Sequence, residues 1–340
     1  MTGKQIWSDR IGQRIVVRYR LHDGTQNDAV GELTAVDDAL HVIARSGPVH
    51  VPLGDVVAGK VVPPRPSRPG PAHLVTSVTD LQRVLTWHWQ APEQEWAGGW
   101  LLRAAGGFTS RANSALPLGP PATAFPEALD QVRAWYRARG LPPRLSLAGP
   151  AEGGVPDDDG PANAVRHAAL ADGWEVLPGA SALVMAARTA DLRARIPCAG
   201  APVDLPGGLR LTAADTPDDA WLAGYRSGDV LPPVAKALLL SSPEQVFVSL
   251  LEDDRTVGVA RGSLGGGAAA LTAVEVSPGR RRRGLGTMLL RTVVDWAART
   301  GTAVVYLQVA EQNEVARAVY ERAGFVVHHR YDYLRSPAEA

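Results

Sequence analysis

The sequence predicts a small all-β domain followed by two α/β segments that mix strands with helices. Two proline-rich stretches, residues 63–71 and 197–206, divide the 340 residues into three blocks, and proline at this density favours extended chain. The first block holds short strand-like runs between turns, whereas the third alternates strand-like and helix-like runs. We therefore expect an all-β domain at 1–62, a linker at 63–74, an α/β segment at 75–196, a linker at 197–208 and a second α/β segment at 209–340.

The composition is that of a globular protein, with 45% hydrophobic and 21% charged residues. The 35 basic and 35 acidic residues cancel, which argues against direct binding of nucleic acid or of an anionic membrane. The single cysteine, Cys198, excludes an intramolecular disulfide and a cysteine-based metal cluster. Because no apolar run reaches membrane-spanning length and residues 1–20 do not resemble a signal peptide, we expect a cytoplasmic protein without a metal.

The first block is expected to form five short strands. Strand-like runs lie at 15–21, 30–36, 40–45, 49–51 and 58–62, and a short helical turn at 52–56 precedes the last of them. This arrangement resembles an SH3-like small β-barrel. Its charges nearly cancel, so a docking or structural module is expected rather than a nucleic-acid-binding domain.

In the third block, a strand at 268–276 leads into an arginine-rich and glycine-rich loop that opens a helix near Gly284. Unpaired backbone N–H groups at a helix start, with the positive end of the helix dipole, bind anions. Glycine at 284 and 286 lets the backbone approach a bulky phosphate, and the arginines at 281–283 add charged donors. Three positions after Gly286 stands Leu289, so the dinucleotide-binding fingerprint is not met. The loop suits a pyrophosphate.

Two spaced motifs in this block resemble the signatures of the GNAT superfamily of N-acetyltransferases. The first is Val276-x-Pro278-x-x-Arg281-x-x-Gly284-x-Gly286, and the second is Asn313-x-x-Ala316-x-x-x-Tyr320-x-x-x-Gly324-Phe325. The interval between them holds one helix and one strand, and the resemblance covers residues 209–334. The whole layout is similar to actinobacterial GNAT proteins that join an SH3-like N-terminal domain to a tandem of a degenerate and a catalytic GNAT-like domain.

The resemblance implies acetyl-CoA as co-substrate and gives a role to each matching position. Strands 271–276 and 304–309 would splay around the pantetheine arm, and the N–H of Val276 would polarise the thioester carbonyl. Asn313 would contact pantetheine and Tyr320 would protonate the departing thiolate, and positions 313, 317 and 320 share one helix face. The residues expected at the CoA site are Val274, Val276, Arg281, Arg282, Arg283, Gly284, Leu285, Gly286, Thr287, Asn313, Arg317 and Tyr320.

A general base is missing from the two positions at which such enzymes often carry one, here Ala270 and Gln308. Glu275 is the nearby carboxylate, and it acts either as a base through water or as a salt-bridge partner of the arginine loop. Thr272, His328, Tyr331 and Tyr333 are further candidates to line the acceptor pocket. His328 and His329 are adjacent on a strand, so we expect them to face opposite sides and not to form a metal pair.

The second block reads as a degenerate copy of the third. A shift of 161 residues places Trp135 on Trp296, and the alignment predicts a strand at 111–116, a helix at 126–139 and a strand at 144–147. Prolines stand where the phosphate loop would be, and Ala169 replaces the tyrosine. In this copy Arg103 and Arg111 either reach an acceptor site or pack strands.

The predicted function is acetyl-CoA-dependent transfer of an acetyl group to a primary amine by direct attack in a ternary complex. The acceptor is a protein lysine, as described for some members of the group that the layout resembles, or a small amine such as an amino acid or an aminoglycoside. A non-catalytic CoA-binding sensor or scaffold is the alternative outside the enzyme class, because positions 270 and 308 lack a base. The sequence does not specify the oligomeric state.

Overall fold

The computed structural model of the chain describes residues 3–8, 10–21, 24–44, 47–64, 66, 70–155, 160–196, 208–225 and 231–337. The chain divides into two units, residues 1–65 with 265–268 and residues 66–264 with 269–340. The linker predicted at 197–208 lies outside the described residues except for Gly208, as do residues 65 and 67–69 of the linker predicted at 63–74. The domain boundaries therefore stay predictions.

The first unit is a five-stranded antiparallel sheet. After a helix that the sequence did not predict, α1 (Gly3–Ser8), come β1 (Arg14–Arg20), β2 (Gln26–Val36), β3 (Ala39–Ala44), β4 (Gly47–Pro52), a 3-10 turn (Leu53–Asp55) and β5 (Val56–Val61). The strand order is β4-β3-β2-β1-β5. Alternate side chains such as Ile15 and Val17 are fully buried, as expected for strands with one face in a core. The five strands and the turn before the fifth are confirmed, whereas closure into an SH3-like barrel stays a prediction.

The second unit begins with the segment that was predicted to be a degenerate copy. Its elements are α2 (Val78–Thr86), β6 (Glu93–Ala97), β7 (Trp100–Ala104), β8 (Leu116–Pro117), α3 (Phe125–Arg137), β9 (Arg144–Gly149), α4 (Pro161–Ala171), β10 (Glu175–Val176), β11 (Ala182–Arg188) and α5 (Thr189–Arg195). The helix expected at 126–139 and the strand expected at 144–147 are present. The strand expected at 111–116 was wrong, because Ser110–Ala112 form a 3-10 turn. There the side-chain oxygen of Asn113 accepts hydrogen bonds from the backbone N–H groups of Ala105 and Gly107. These bonds hold the segment in a loop.

The rest of the second unit follows the predicted alternation of strands and helices. Its elements are β12 (Leu209–Ala214), α6 (Asp219–Gly224), α7 (Pro233–Leu239), β13 (Glu244–Glu252), β14 (Arg255–Gly265), β15 (Ala268–Val276), a 3-10 turn (Pro278–Arg280), α8 (Leu285–Arg299), β16 (Val304–Ala310), α9 (Glu314–Ala323) and β17 (Val326–Arg335). The buried face of α8, which includes Leu289 and Val293, packs on one side of the sheet together with Leu271 and Leu307. The apolar residues on this face recur at three-residue to four-residue intervals, as an amphipathic helix requires.

One sheet joins the two halves of the second unit. Its strand order is β10-β17-β11-β16-β15-β14-β13-β12, and β9 also pairs with β17. β11 comes from the first half but lies between two strands of the second, antiparallel to both, and pairs with β16 over its full length from Ala182 to Arg188. β6, β7 and β8 form a separate three-stranded sheet, but the segments predicted at 75–196 and 209–340 share the large sheet.

The prediction that His328 and His329 face opposite sides was wrong, because a register shift interrupts their strand. In the β11–β17 ladder, Val184 pairs with His329 and Met185 pairs with Val327, so His328 is an extra residue at a β-bulge. Both histidines are fully buried, and their Nδ1 atoms lie 2.9 Å apart.

Candidate active site

An opening between two parallel strands forms the centre of the candidate site. β15 and β16 pair at Ala269–Val305, Ala270–Tyr306 and Leu271–Leu307. Beyond this point the described ladder ends, although β15 continues to Val276 and β16 to Ala310. Ala273 has a positive φ of 53°, which interrupts the regular course of β15 where the strands part. The strands thus separate within the range that the resemblance implied.

The backbone N–H of Val276 points toward this opening. The next amide, that of Ser277, donates to the Val257 carbonyl on β14 at 2.9 Å. Because successive amides of an extended chain point to opposite edges, the Val276 N–H points away from β14. The side chains of Val274 and Val276 are half-buried against the core.

The loop between β15 and α8 presents a row of backbone donors. Among the described residues, the N–H groups of 282–286 donate to no protein acceptor. Two left-handed residues, Arg282 (φ 62°) and Gly284 (φ 78°), turn the chain into the first turn of the 15-residue helix α8. Free donors at the positive end of a helix dipole form a site for an anion such as phosphate. The amide of Thr287, which the sequence included in this row, instead donates to the Gly284 carbonyl at 3.0 Å.

The two glycines of the loop differ in what they do. Gly284 needs its left-handed backbone, which other residues adopt at a cost. Gly286 has no such requirement, and a Cβ built on it would meet only Val276 Cγ2, at 4.0 Å. A side chain there would extend into space that the protein leaves empty, which fits a cradle for a bound ligand.

The arginines of the loop are mostly paired. Arg280 and Arg283 both donate to the carboxylate of Glu252. The hydrogen bond from Arg280 lowers the pKa of Glu252. Arg281 donates to the Val276 carbonyl at 3.0 Å and to Glu275 at 3.3 Å. Among the described ion pairs, none includes Arg282. Glu252 lies 23 residues before Glu275 on another strand, and no sequence motif marked it.

Helix α9 carries the other residues assigned to the cofactor. Asn313 is the N-cap, and its Oδ1 accepts from the Ala316 N–H at 3.1 Å. Arg317 is exposed and pairs with Glu321 at 2.7 Å. Tyr320 is half-buried, with its ring edge-on to Phe325 at 5.9 Å between centroids. Burial raises the pKa of Tyr320 to about 12, so its hydroxyl is a proton donor at neutral pH.

The side of the opening that faces away from α8 carries the residues predicted for the acceptor pocket. Leu271 and Leu307 belong to the core against α8, so their neighbours Thr272 and Gln308 point to the opposite side. Gln308 Oε1 accepts from Tyr331 at 2.7 Å. Tyr333 is buried, and burial raises its pKa well above the ordinary value.

Residues of the first half reach this side. Arg111 Nη1 donates to Gln308 Oε1 at 2.8 Å, and Trp89 lies under the Arg111 guanidinium at 4.7 Å. The sequence left the role of Arg111 open and did not mark Trp89. A contact between residues 197 positions apart leaves no local pattern, and the periodicity of each strand would not have found it.

No helix in the described parts of the chain is long and apolar enough to cross a membrane. Over the same residues, no three His, Cys, Asp or Glu side chains are grouped as metal ligands.

Comparisons with known proteins match both units. Residues 77–334 match the family model described as "Probable histone acetyltransferase Rv0428c C-terminal", and residues 9–60 match the model of the Rv0428c N-terminal Sm-like domain. The five strands of the first unit are thus identified as Sm-like.

Individual relatives give the same result. The Mycobacterium tuberculosis protein named "Probable histone acetyltransferase Rv0428c" is 29% identical over 340 residues, which cover 97% of this chain and 96% of the relative. A GCN5-related N-acetyltransferase from Kribbella flavida has a TM-score of 0.54 at 16% identity and covers 77% of this chain and 96% of its own. A tandem GNAT protein from the clavulanic acid biosynthesis pathway has a TM-score of 0.52 at 17% identity and covers 63% and 70%. The two solved structures show a common fold, and the family match shows that the chain belongs to the Rv0428c family of GNAT N-acetyltransferases and is an acyltransferase.

Proposed function

We propose that the protein transfers an acetyl group from acetyl-CoA to a primary amine by direct attack in a ternary complex. The observation that carries the proposal is the pairing of two features at one end of β15. The strands part beyond Leu271 and Leu307, and the following loop offers five unused backbone donors. An opening for an extended arm beside a phosphate site matches the shape of CoA.

In this proposal the free N–H groups of 282–286, within the predicted stretch 281–287, hold the pyrophosphate. Val274 and Val276 lie along the pantetheine arm. The orientation of the Val276 N–H supports its role as donor to the thioester carbonyl, where negative charge develops during attack. Arg282 is the arginine best placed to supply charge to a phosphate, since Arg280, Arg281 and Arg283 are already paired. Asn313 and Arg317 border the same region at the start of α9.

Tyr320 is proposed to donate its hydroxyl proton toward the departing thiolate. A tyrosine with a pKa of about 12 is a weaker acid than a thiol of pKa near ~8.5. We therefore assign Tyr320 to hydrogen bonding the departing thiolate. The C–N bond forms as the C–S bond breaks, and the proton that the amine nitrogen loses neutralises the thiolate through solvent.

Glu275 has two possible roles, as a base through water or as a salt-bridge partner of the arginine loop. Its carboxylate contacts Arg281 at 3.3 Å, which favours the salt-bridge role. Ala270 and Gln308 carry no titratable group, so we propose that the amine enters unprotonated or loses its proton to water.

We propose two alternative classes of acceptor. A protein lysine is supported by the name of the M. tuberculosis relative, which describes that protein as a histone acetyltransferase. A small amine is supported by Arg111 and Trp89, which the first half places against the acceptor side of the opening.

We also propose a role for each unit. The first unit would be a docking module whose five strands close into an SH3-like barrel. The second unit would be a tandem of a degenerate and a catalytic GNAT-like part, and the protein would act in the cytoplasm.

The test is release of free thiol from acetyl-CoA by the full chain with a panel of small amines and lysine peptides. We expect turnover with at least one amine and about 100-fold lower kcat for Tyr320→Phe, with unchanged affinity for CoA, because a lost acid or donor costs on that order. Tyr19→Phe, in the first unit, is the matched control and should behave as wild type. Tight CoA binding without thiol release from any amine contradicts the proposal, and an unchanged Tyr320→Phe rate removes Tyr320 from the chemistry.

A further inference from the structure

Three arginines without carboxylate partners lie on the acceptor side of the opening between β15 and β16. We call Arg103, Arg111 and Arg261 the arginine cluster. In the described parts of the chain, none of the three forms an ion pair with Asp or Glu. Buried or half-buried cations normally have an anionic partner, because removing a charge from water is costly.

Arg111 is the member that has donors left over. Its Nη1 binds Gln308, and its face lies on Trp89. Its Nε is buried and has no hydrogen-bond partner. A buried guanidinium N–H without an acceptor is a costly arrangement, and an anionic ligand beside Gln308 would satisfy it.

Arg261 is fully buried and fixed in place. Its guanidinium donates to five neutral oxygens, those of Leu239, His88, Thr272, Ser242 and Gln245, at 2.7 to 3.2 Å. It lies 5.8 Å from the centre of the Trp89 ring that also supports Arg111. Burial, and then the charge of Arg111, lower the pKa of Arg261 to about 9. The two positive charges therefore repel each other near Trp89.

Arg103 lines the same small cavity as Arg111, Trp89, Gln308 and Tyr331. It is buried, and its guanidinium binds the carbonyl and hydroxyl oxygens of Ser114. Burial lowers the pKa of Arg103, and the charge of Arg111 acts in the same direction. Arg103 thus packs strands and also faces the cavity, which combines both roles expected for it.

The two residues next to the parting of the strands each contact one member of the cluster. Thr272 accepts from Arg261 at 3.2 Å, and Gln308 accepts from Arg111 at 2.8 Å. The positive charge therefore lies at the point where an acceptor amine must approach the thioester. A purely cationic acceptor, such as a polyamine, an aminoglycoside or a lysine-rich peptide, would be repelled there, whereas an anionic group would be attracted.

We propose that the arginine cluster binds the carboxylate of the acceptor, so that the acceptor is a small primary amine that carries a carboxylate group. Arg111 is the specificity-determining residue that contacts the carboxylate, and Arg103 borders the same space. Arg261 is a positioning residue that adds charge next to Trp89 and Thr272. This inference rests on the proposed function, and it favours a compound of the amino-acid type over a protein lysine.

The test compares amines in matched pairs that differ only in the carboxylate: L-tyrosine with tyramine, L-histidine with histamine, and L-ornithine with putrescine, together with a lysine peptide. Thiol release by the full chain is expected to show at least 10-fold higher kcat/KM for the carboxylate member of the preferred pair. Arg111→Met should remove that preference, because losing one partner of a desolvated charge pair costs 10-fold or more. The loss in kcat/KM should fall on the carboxylate member of the pair more than on the decarboxylated member.

Two further variants keep the test informative if Arg111→Met folds poorly. Arg111→Lys retains the charge and should retain part of the preference, and Gln308→Glu places an anion against Arg111 and should abolish it. The matched control is Arg139→Met, since Arg139 also lies over a tryptophan but is paired with Glu93 at the surface. It should leave the preference unchanged.

If the kcat/KM for a decarboxylated amine or for the lysine peptide equals or exceeds that for the amines with a carboxylate, the inference is overturned. The proposed function is sustained in that case. If Arg111→Met lowers kcat/KM equally for both amines of a matched pair, the inference is also overturned. If no amine releases thiol, the proposed function fails, and the cluster is then tested by calorimetric titration with 3-phenylpropanoate in the presence of CoA. Binding that disappears in Arg111→Met supports the carboxylate site, and absence of binding refutes it.

Discussion

Replacing Gly286 by alanine should strengthen the fold and weaken CoA binding. Gly286 lies in the first turn of α8 without a positive φ, and its added Cβ would meet nothing closer than Val276 Cγ2 at 4.0 Å. Alanine is favoured over glycine in a helix by about 0.5–1 kcal/mol. The free energy of unfolding should therefore rise by up to about that amount, which is near 2 °C in Tm for a unit of this size.

The same methyl group projects into the space proposed for the pyrophosphate. Displacing a phosphate from one or two backbone donors removes charge-assisted hydrogen bonds of about 1.5–3 kcal/mol. The Kd for CoA should then rise between about 10-fold and 150-fold. Chemical denaturation of the ligand-free protein measures the first effect, and calorimetric titration with CoA measures the second.

Two other glycines serve as controls. Gly284→Ala forces alanine to a φ of 78° and should destabilise the fold by about 1–2 kcal/mol. Gly262→Ala brings a Cβ to 2.8 Å from Val293 and 2.9 Å from Val246, so it should destabilise the core without entering the CoA site. Unchanged CoA affinity in Gly286→Ala would refute the cradle, and a loss of stability would show that α8 depends on Gly286 in a way that its geometry does not indicate.

Three further predictions concern single side chains. Asn313→Ala removes the N-cap of α9 and should lower the free energy of unfolding by about 1 kcal/mol, measured by denaturation, with Thr and Asp as rescuing replacements. Glu252→Gln releases Arg280 and Arg283 from their shared carboxylate and should tighten CoA binding several-fold at low salt, with a steeper salt dependence in titrations. Burial holds the pKa of His329 well below 6.5, so the unfolded chain binds a proton that the folded chain does not. Stability should fall as pH drops below about 6.5, by at most about 1.4 kcal/mol per pH unit from this group, and His329→Gln should flatten the profile in denaturation at pH 5–7.

The sequence correctly predicted those helices, strands and turns whose structure depends only on neighbouring residues. The α8 helix follows from the spacing of Leu285, Leu289 and Val293, and the turn into it follows from Gly284. Five short strands in the first unit follow from alternating apolar residues. Such patterns act over a few residues, so they are visible without the fold.

Several features that the sequence did not predict depend on pairing between segments that are distant in the chain. Residues 182–188 have the apolar character of a buried strand, but nothing local indicates that their partners are β16 and β17. The bulge at His328 depends on the register of that same ladder. The contact between Arg111 and Gln308 also joins distant segments, so no local pattern marks the acceptor side of the site.

The placement of β11 also constrains how the chain can fold during synthesis. β11 ends at residue 188, whereas β16 begins at residue 304 and β17 at residue 326. A strand whose side chains are almost all buried in the finished sheet therefore leaves the ribosome long before either neighbour exists. At about 5–20 residues per second, it waits for several seconds with apolar surface and both edges uncovered. The first half thus cannot complete its folding alone, and a truncated product that ends before residue 304 would present the kind of exposed strand on which aggregation begins.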